Sequence, residues 1–357
     1  MNSAINKYAF INAKLRARIS KNLPDELINE MIKAKSFLES IEHLKDTPYD
    51  TIYNVYAETG DILTAEKELL KKEISLFTEL LKYVDEKTGE YIKALSLRYE
   101  INNLKNCIRL FFDRHIRGRD ISQQTPYIIQ EKIINPFNCD RIIHAGSREE
   151  LVEALRETPY YDIVKSTASE MDRASTVFPL ETALDRFYYK NLFNQISASL
   201  SKKDKAIALQ VFYLDVDVEN IGRVVRFKHF YSLDAEEVFR YIIPYGIVPS
   251  NMAAFEHMYE NEDVSDILSG LMEKSDKSLK SFFDTDMRER SSRLVIIEKI
   301  AEQILVYQAH KILFGPPFTI GIILAYFILK RHEMKKIMTI LNAKHYHYQP
   351  ERISGLL

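Results

Sequence analysis

The sequence contains no tryptophan, and it has only two cysteines and ten glycines in 357 residues. The two cysteines, Cys107 and Cys139, are too few for a disulfide scaffold and are typical of buried thiols in a reducing compartment. So few glycines argue against an all-β fold with many tight turns. Neither GxxxxGKS/T nor GxGxxG occurs. If the protein works with a nucleotide-driven machine, the nucleotide is therefore expected on another chain.

Neither sign of charge is in excess, and no apolar run is long. Lysine and arginine number 49 against 51 acidic residues, so no nucleic-acid partner is expected. The most apolar run, residues 318–329, would span about 18 Å as a helix, whereas a bilayer core is about 30 Å thick. Because Gly315-Pro316-Pro317 interrupts any extension, we predict a buried core helix beginning near Pro317. Residues 1–20 predict the first helix of the mature protein, not a signal peptide.

Almost every stretch longer than a dozen residues has apolar residues at a spacing near 3.6, which predicts an all-α fold. Tyr8 to Ile19 mark one helix face, and Leu27, Met31, Ala34, Leu38 and Ile41 mark a second. Six longer helices are predicted at 63–83, 91–113, 181–200, 205–230, 293–313 and 318–343. The polar segments Asp85–Gly89 and Ser201–Asp204 are predicted to be turns between them.

Two unrelated patterns recur at one long period. The first is Glu100-Ile-Asn-Asn103 with Arg109, which matches Asp217-Val-Glu-Asn220 with Arg226 and, more loosely, Glu333-Met-Lys-Lys336 with Asn342. The steps from Asn103 to Asn220 and on to Lys336 are 117 and 116 residues.

The second pattern ends in Thr47-Pro48-Tyr49 and in Thr158-Pro159-Tyr160, and a degraded third copy lies at Leu268–Ser275. A period this long is that of a small domain, not of a solenoid repeat. We predict three similar helical domains at 1–118, 119–232 and 233–357.

No constellation of residues supports catalysis or metal binding. His345 and His347 point to different helix faces, and neither they nor His332 have further ligands at metal-site spacing. Asp215, Asp217 and Glu219 alternate as in a calcium loop, but the glycine and the closing glutamate of such a loop are missing. No cofactor, metal or catalytic residue is expected. A helical lyase-like or terpenoid-type enzyme would need an acidic motif such as DDxxD, which does not occur.

The repeated polar positions are the candidate partner interface. Three equivalent helices gathered round an axis would offer similar groups to something held between them. In the other interpretation, the asparagines make contacts inside the fold and the arginines are solvated. The candidates are Glu100, Asn103, Arg109, Asp217, Asn220, Arg226, Glu333 and Lys336.

Several segments resemble the C subunit of V/A-type rotary ATPases, the equivalent of the d subunit in eukaryotic V-ATPases. They cover the chain from end to end. In the third copy, Met334-Lys-Lys336 replaces the Asn-Leu type pair of that family, and the glycine of an Ile-Pro-Gly type turn is displaced to Gly246. The segments are 8–17, 103–109, 184–189, 220–226 and 317–333.

The resemblance implies three domains in a pseudo-threefold, funnel-shaped arrangement. It also implies a non-catalytic socket at the cytoplasmic face of a membrane, present once per complex and monomeric when isolated. Its expected partners are the D and F subunits of the central axle and the membrane rotor ring. Through these partners, ATP turnover and the transport of H⁺ or Na⁺ would be linked, in either direction. The alternative is a cytoplasmic helical-repeat scaffold that binds an unrelated helical partner.

Overall fold

The structure, a computed structural model, describes residues 2–174, 176–227, 233–250, 252–260 and 290–357. Within these ranges the chain forms helices and turns but no β-strand, which confirms the all-α prediction. The third copy of the Thr-Pro-Tyr pattern at 268–275 and the boundary expected near residue 232 lie outside the described residues.

One compact unit comprises residues 44–200. Its longest helix, α6, packs against α5, α7 and α10, while α4 packs on α5 and α9 packs on α10. The helices are α4 (Asp50–Thr59), α5 (Ile62–Leu80), α6 (Glu86–His115), α7 (Cys139–Ile143), α8 (Arg148–Glu153), α9 (Tyr161–Ala174) and α10 (Phe178–Ser199).

The other compact unit combines residues 1–43 with residues 201–357. Helix α16 contacts α15 and α11 and also the three N-terminal helices. This division follows spatial packing and does not test the sequence repeat, so the domains at 1–118, 119–232 and 233–357 stay a prediction. The helices are α1 (Asn2–Ile19), α2 (Asp25–Lys33), α3 (Phe37–Glu42), α11 (Lys202–Arg226), α12 (Ala235–Arg240), α13 (Ile247–Ser250), α14 (Met252–Glu260), α15 (Arg290–Phe314), α16 (Gly321–His345) and α17 (Pro350–Leu356).

The two polar segments predicted to be turns are the first turns of long helices. Helix α6 begins at Glu86, and the Asp85 carboxylate accepts a hydrogen bond from the Thr88 N–H at 2.9 Å. Helix α11 begins at Lys202, where the Ser201 hydroxyl accepts from the Asp204 N–H at 3.3 Å. The turn predictions were wrong because these side chains satisfy the free N–H groups of a helix start.

The second N-terminal helix of the prediction is two helices in the structure. Helix α2 ends at Lys33, and Ser36 caps α3 by accepting from the Glu39 N–H at 3.1 Å. Because this cap interrupts the helical phase, Leu38 is 53% exposed instead of lying on the buried face.

The most apolar run forms the buried start of α16. The helix begins at Gly321, four residues after Pro317, and Ile320 to Tyr326 are all buried. The Asp204 carboxylate of α11 accepts a hydrogen bond from the Ile320 N–H at 2.8 Å and secures this start. The prediction of a buried core helix is confirmed. None of the helices in the described part of the chain is long and apolar enough to cross a membrane.

The two Thr-Pro-Tyr copies fold alike, each just after a short helix. Thr47 donates to the Leu44 carbonyl at 2.7 Å and Thr158 donates to the Leu155 carbonyl at 2.7 Å. Each threonine oxygen also accepts the N–H of the following tyrosine, and both tyrosines are fully buried. The repeat in sequence is therefore also a repeat in local structure.

Candidate functional site

The eight repeated polar residues lie on the three long helices α6, α11 and α16. The three carboxylates are buried, and so are both asparagines. The two arginines are exposed and Lys336 is half-buried. The structure therefore separates an inward set of residues from an outward set.

Glu100 is fully buried on α6 and binds the segment that leads into α7. One carboxylate oxygen accepts from the N–H groups of Ile134 and Asn135, both at 2.6 Å. The other accepts from the Asn135 side chain at 2.7 Å and from the Tyr160 hydroxyl at 2.5 Å. Burial, and next the charge of Glu100, raise the pKa of Tyr160 above its ordinary value. The carboxylate thus joins α6 to two segments that follow it.

Asn103 lies one turn further along α6 and pairs with backbone. Its amide donates to the Ile129 carbonyl at 2.8 Å, and its oxygen accepts from the Ile129 N–H at 3.0 Å. The amide nitrogen also lies 3.5 Å from the sulfur of Cys139. A side-chain amide can satisfy both backbone groups of one residue only when donor and acceptor face them together.

Asn220 makes the corresponding pair on α11. Its amide donates to the Ile243 carbonyl at 3.0 Å, and its oxygen accepts from the Ile243 N–H at 2.8 Å. Asp217 lies against Gly246, where a Cβ atom would be 2.1 Å from the carboxylate oxygen of Asp217. Gly246 also has φ of +88°, a backbone conformation that favours glycine.

The third carboxylate, Glu333 on α16, binds the N-terminal segment of the chain. One oxygen accepts from the Leu23 N–H at 2.5 Å, and the other forms a buried ion pair with Lys330 at 2.7 Å. Lys336 stands where the other copies have asparagine, so the two-way backbone pairing is not repeated there. In all three copies the carboxylate approaches a segment outside its own helix.

The outward residues differ between copies. Arg109 holds Glu181 of α10 with two nitrogens, at 2.5 and 3.0 Å, and remains 49% exposed. Arg226 donates to the Gly222 carbonyl of its own helix at 3.1 Å. Part of each arginine side chain remains exposed to solvent and can contact another chain, although the arginine also forms a hydrogen bond within the fold.

Sequence reasoning missed three residues that complete these contacts: Asn135, Tyr160 and Lys330. Tyr160 carried a detectable signal, because it belongs to the second repeated pattern, but nothing in that pattern pointed to Glu100. Lys330 has no counterpart at the repeat period, and nothing in the sequence linked Asn135 to Glu100. Their roles depend on where the chain brings them.

His332 and the two cysteines each contact another side chain of the fold. The His332 ring lies 2.7 Å from Glu302, and despite burial the hydrogen bonds of His332 and Lys335 hold the pKa of Glu302 below its usual range. Cys107 and Cys139 are buried free thiols, as predicted, and their mutual hydrogen bond and burial raise the pKa of Cys107. No three His, Cys, Asp or Glu residues in those parts are placed to hold a metal ion.

Comparison with known proteins extends over almost the whole chain. A family model described as ATP synthase (C/AC39) subunit matches residues 11–356. The C subunit of the A-type ATP synthase of Methanocaldococcus jannaschii is 25% identical over 98% of this chain and 86% of its own length. The proteins of the same description from Methanothermobacter thermautotrophicus and Thermococcus gammatolerans are 23% and 21% identical, over 94% and 98% of this chain and 84% and 89% of their own lengths.

This match confirms the resemblance read from the sequence segments. It extends through α6, α11 and α16 and through all eight repeated positions, so it concerns the whole chain and not one motif. The chain therefore belongs to the ATP synthase (C/AC39) subunit family and is a non-catalytic accessory subunit of an ATPase complex.

Proposed function

We propose that this chain is a central-stalk subunit of a rotary V/A-type ATPase, a socket that couples the D–F axle to the membrane rotor ring. The observation that carries the proposal is the family match along residues 11–356. In this role the chain lies on the cytoplasmic side and turns with axle and ring. It links ATP turnover on other subunits to the transport of H⁺ or Na⁺ without catalysing a step itself.

A socket that transmits torque has to resist deformation, and the buried contacts of the long helices suit that task. Glu100 and Asn103 tie α6 to the segment 129–135, and Glu333 ties α16 to Leu23. Hydrogen-bonded polar groups in a low-dielectric interior hold one arrangement, because any other leaves a buried group unsatisfied. Close packing in turn transmits strain instead of absorbing it.

The two exposed arginines and the half-buried Lys336 are the proposed contacts to the partner, and the buried members of the repeated set hold them in place. Arg109, Arg226 and Lys336 carry positive charge on the three long helices. Charged contacts across an interface steer association and can separate again, as a regulated complex requires. The three pseudo-equivalent domains would place them around the axle.

The test is a pull-down of the purified chain with a co-expressed D–F pair. A helical protein of equal net charge serves as the control. We expect retention of the D–F pair at moderate salt and no ATP hydrolysis by the chain alone. A chain that ignored the axle at micromolar concentration, or that hydrolysed ATP, would overturn the proposal.

A matched pair of variants separates an interface role of Arg109 from a structural one. Arg109→Ala removes the cation, whereas Glu181→Ala breaks the same ion pair and leaves the cation in place. Truncation of an arginine that anchors an interface costs about tenfold in affinity or more. We expect Arg109→Ala to weaken axle binding by about tenfold and Glu181→Ala to change it little. Equal losses in both variants would show that the pair supports only the fold.

A further inference from the structure

Positive charge is concentrated in three segments that are far apart in the sequence. Residues 1–24 contain five lysines and arginines, residues 200–214 contain three, and residues 303–332 contain three. The same segments contain one carboxylate, Asp204, although the whole chain has a net charge of −2. The near-neutral net charge of the whole chain is therefore compatible with a strong local excess of positive charge in these three segments.

The fold brings these segments together within one compact unit, at α1, the start of α11 and the α15–α16 turn. The Tyr8 hydroxyl donates to Asp204 at 3.0 Å, and Asp204 accepts from the Ile320 N–H at 2.8 Å. Arg16 donates to the Leu313 carbonyl at 2.7 Å. Asp204 is 4% exposed and is hydrogen-bonded to all three segments. The one carboxylate of these segments is therefore buried beneath the surface that they form.

We name this surface the basic face and define it by its exposed cations. Lys330 is not among them, because it is buried and paired with Glu333. The carboxylates Asp25 and Glu26 follow the first segment in sequence and open α2. The exposed cations are Arg16, Lys21, Lys202, Lys203, Lys311 and Arg331.

Two phenylalanine side chains of the same segments are exposed. Phe314, at the end of α15, is 91% exposed, the largest value among the exposed large apolar residues of the described chain. The turn after it exposes Pro316 and Pro317. Phe10, on the outer side of α1, is 61% exposed. Single protruding aromatics among long cationic side chains are the chemistry of proteins that bind at a lipid–water interface.

We propose that the basic face binds anionic phospholipid headgroups, with Phe314 inserted at the level of the headgroups. Lysine and arginine near an anionic membrane surface each add to the binding, and an interfacial aromatic adds an apolar anchor. The exposed aromatics favour a lipid surface over an acidic protein partner, because an apolar anchor adds to binding at a lipid–water interface. The proposal goes beyond the socket role, since it involves neither the axle nor the ring. It matches membership of a membrane-associated complex.

The experiment is flotation of the purified chain with vesicles of phosphatidylcholine alone and of equal parts phosphatidylcholine and phosphatidylglycerol. We expect flotation only with the anionic vesicles, and its loss when salt is raised. Lys202→Glu with Lys203→Glu should lower partitioning by about tenfold or more. The matched control is Lys82→Glu with Lys87→Glu, which changes net charge equally at exposed sites of the other compact unit and should keep binding.

A second pair of variants tests the aromatic anchor. Phe314→Ser should weaken binding several-fold without changing its salt dependence, whereas Ile116→Ser, at a residue 45% exposed, should leave it unchanged. Circular dichroism confirms that each variant is folded. The proposal is overturned if the wild-type chain stays unbound with anionic vesicles, floats equally with neutral ones, or loses binding equally in the control pair. Axle binding is measured separately and does not enter this result.

Discussion

At the scale of single residues, Glu100 shows how a charge is kept inside this fold. A buried carboxylate is costly unless it is hydrogen-bonded on all sides. Glu100 accepts four hydrogen bonds, two from backbone N–H groups and two from the side chains of Asn135 and Tyr160. Removing any one donor leaves part of a buried charge uncompensated.

Tyr160→Phe tests this directly, because it removes one donor and keeps the ring. The free energy of unfolding should fall by about 1–2 kcal/mol at neutral pH. Burial and Glu100 raise the pKa of Tyr160 when the protein is folded, above the value near 10 of an unfolded tyrosine. The unfolded state therefore releases this proton first, and the stabilisation by Tyr160 is fully present below pH 10 and falls progressively as pH rises above it. The difference between wild type and variant should shrink above that pH.

Urea unfolding at neutral pH and on either side of pH 10 measures both effects. Tyr346→Phe is the control, because it removes a hydroxyl from a side chain that is 68% exposed. It should change the free energy of unfolding by about 0.5 kcal/mol or less. A difference between wild type and Tyr160→Phe that grew with pH would contradict the role given to Tyr160.

Gly246 is the second residue-scale prediction. Gly246→Ala would strain a backbone at φ +88° and place a Cβ atom 2.1 Å from the Asp217 carboxylate. We expect a loss of about 3 kcal/mol or more in the free energy of unfolding. Gly60→Ala has a similar φ of +67° but open space, so it should lose only about 1–2 kcal/mol. Urea unfolding compares the two variants. Equal losses would show that the contact between the added Cβ atom and Asp217 does not contribute to the loss of stability.

At the scale of elements, two aspartates near helix starts differ in how many other helices they contact. Asp85 caps α6, whereas Asp204 receives hydrogen bonds from Tyr8 of α1, Ile320 at the start of α16, and Ser201. We therefore expect the two aspartates to contribute differently to the stability of the fold. The first serves a local turn, and the second joins three helices.

Asp204→Ala and Asp85→Ala measure that difference. Loss of a helix cap costs about 1 kcal/mol, and that is the expectation for Asp85→Ala. Asp204→Ala leaves three donors unsatisfied, one of them a buried backbone N–H, and should cost about 3 kcal/mol or more. The measurement is the urea midpoint of each variant at constant m-value. Similar costs would mean that the contacts of Asp204 with α1 and α16 add no stability.

At the scale of the whole molecule, the two ends of the chain meet in one unit. Leu23 donates to Glu333, and Lys344 donates to the Ala34 carbonyl at 2.5 Å. The N-terminal helices thus contact the last long helix, as residues 129–135 contact α6 and residues 243–246 contact α11. Each long helix has a partner segment, and for the third it comes from the start of the chain.

Glu333→Gln tests this docking. It replaces a charge that Lys330 needs as its partner, and it weakens acceptance from the Leu23 N–H. Hydrogen exchange should rise in residues 2–33 and 321–345 and stay unchanged in α6. Glu157→Gln, at an exposed site of the other compact unit, is the control and should change neither. Faster exchange in α6 to the same extent would show a general loss of stability instead of release of the N-terminal segment.

The sequence by itself determined the all-α class, the long helices, the buried apolar run and the family. These properties depend on residues a few positions apart, because helix periodicity, caps and stops act over one or two turns. The helix starts at Glu86 and Lys202 were missed, although their caps, Asp85 and Ser201, are equally local. The long repeat period could be recognised from the sequence alone, because it needed only two patterns that recur at the same spacing.

Only the tertiary structure decided what the repeated polar residues touch. Glu100 meets a backbone 34 residues away and Glu333 meets one 310 residues away, and no spacing rule specifies such pairs. The fold buried five of the eight candidates and left the two arginines exposed. It also gathered the lysines of three distant segments into the basic face. Burial and net local charge depend on which segments pack together, and that is settled only when the helices meet.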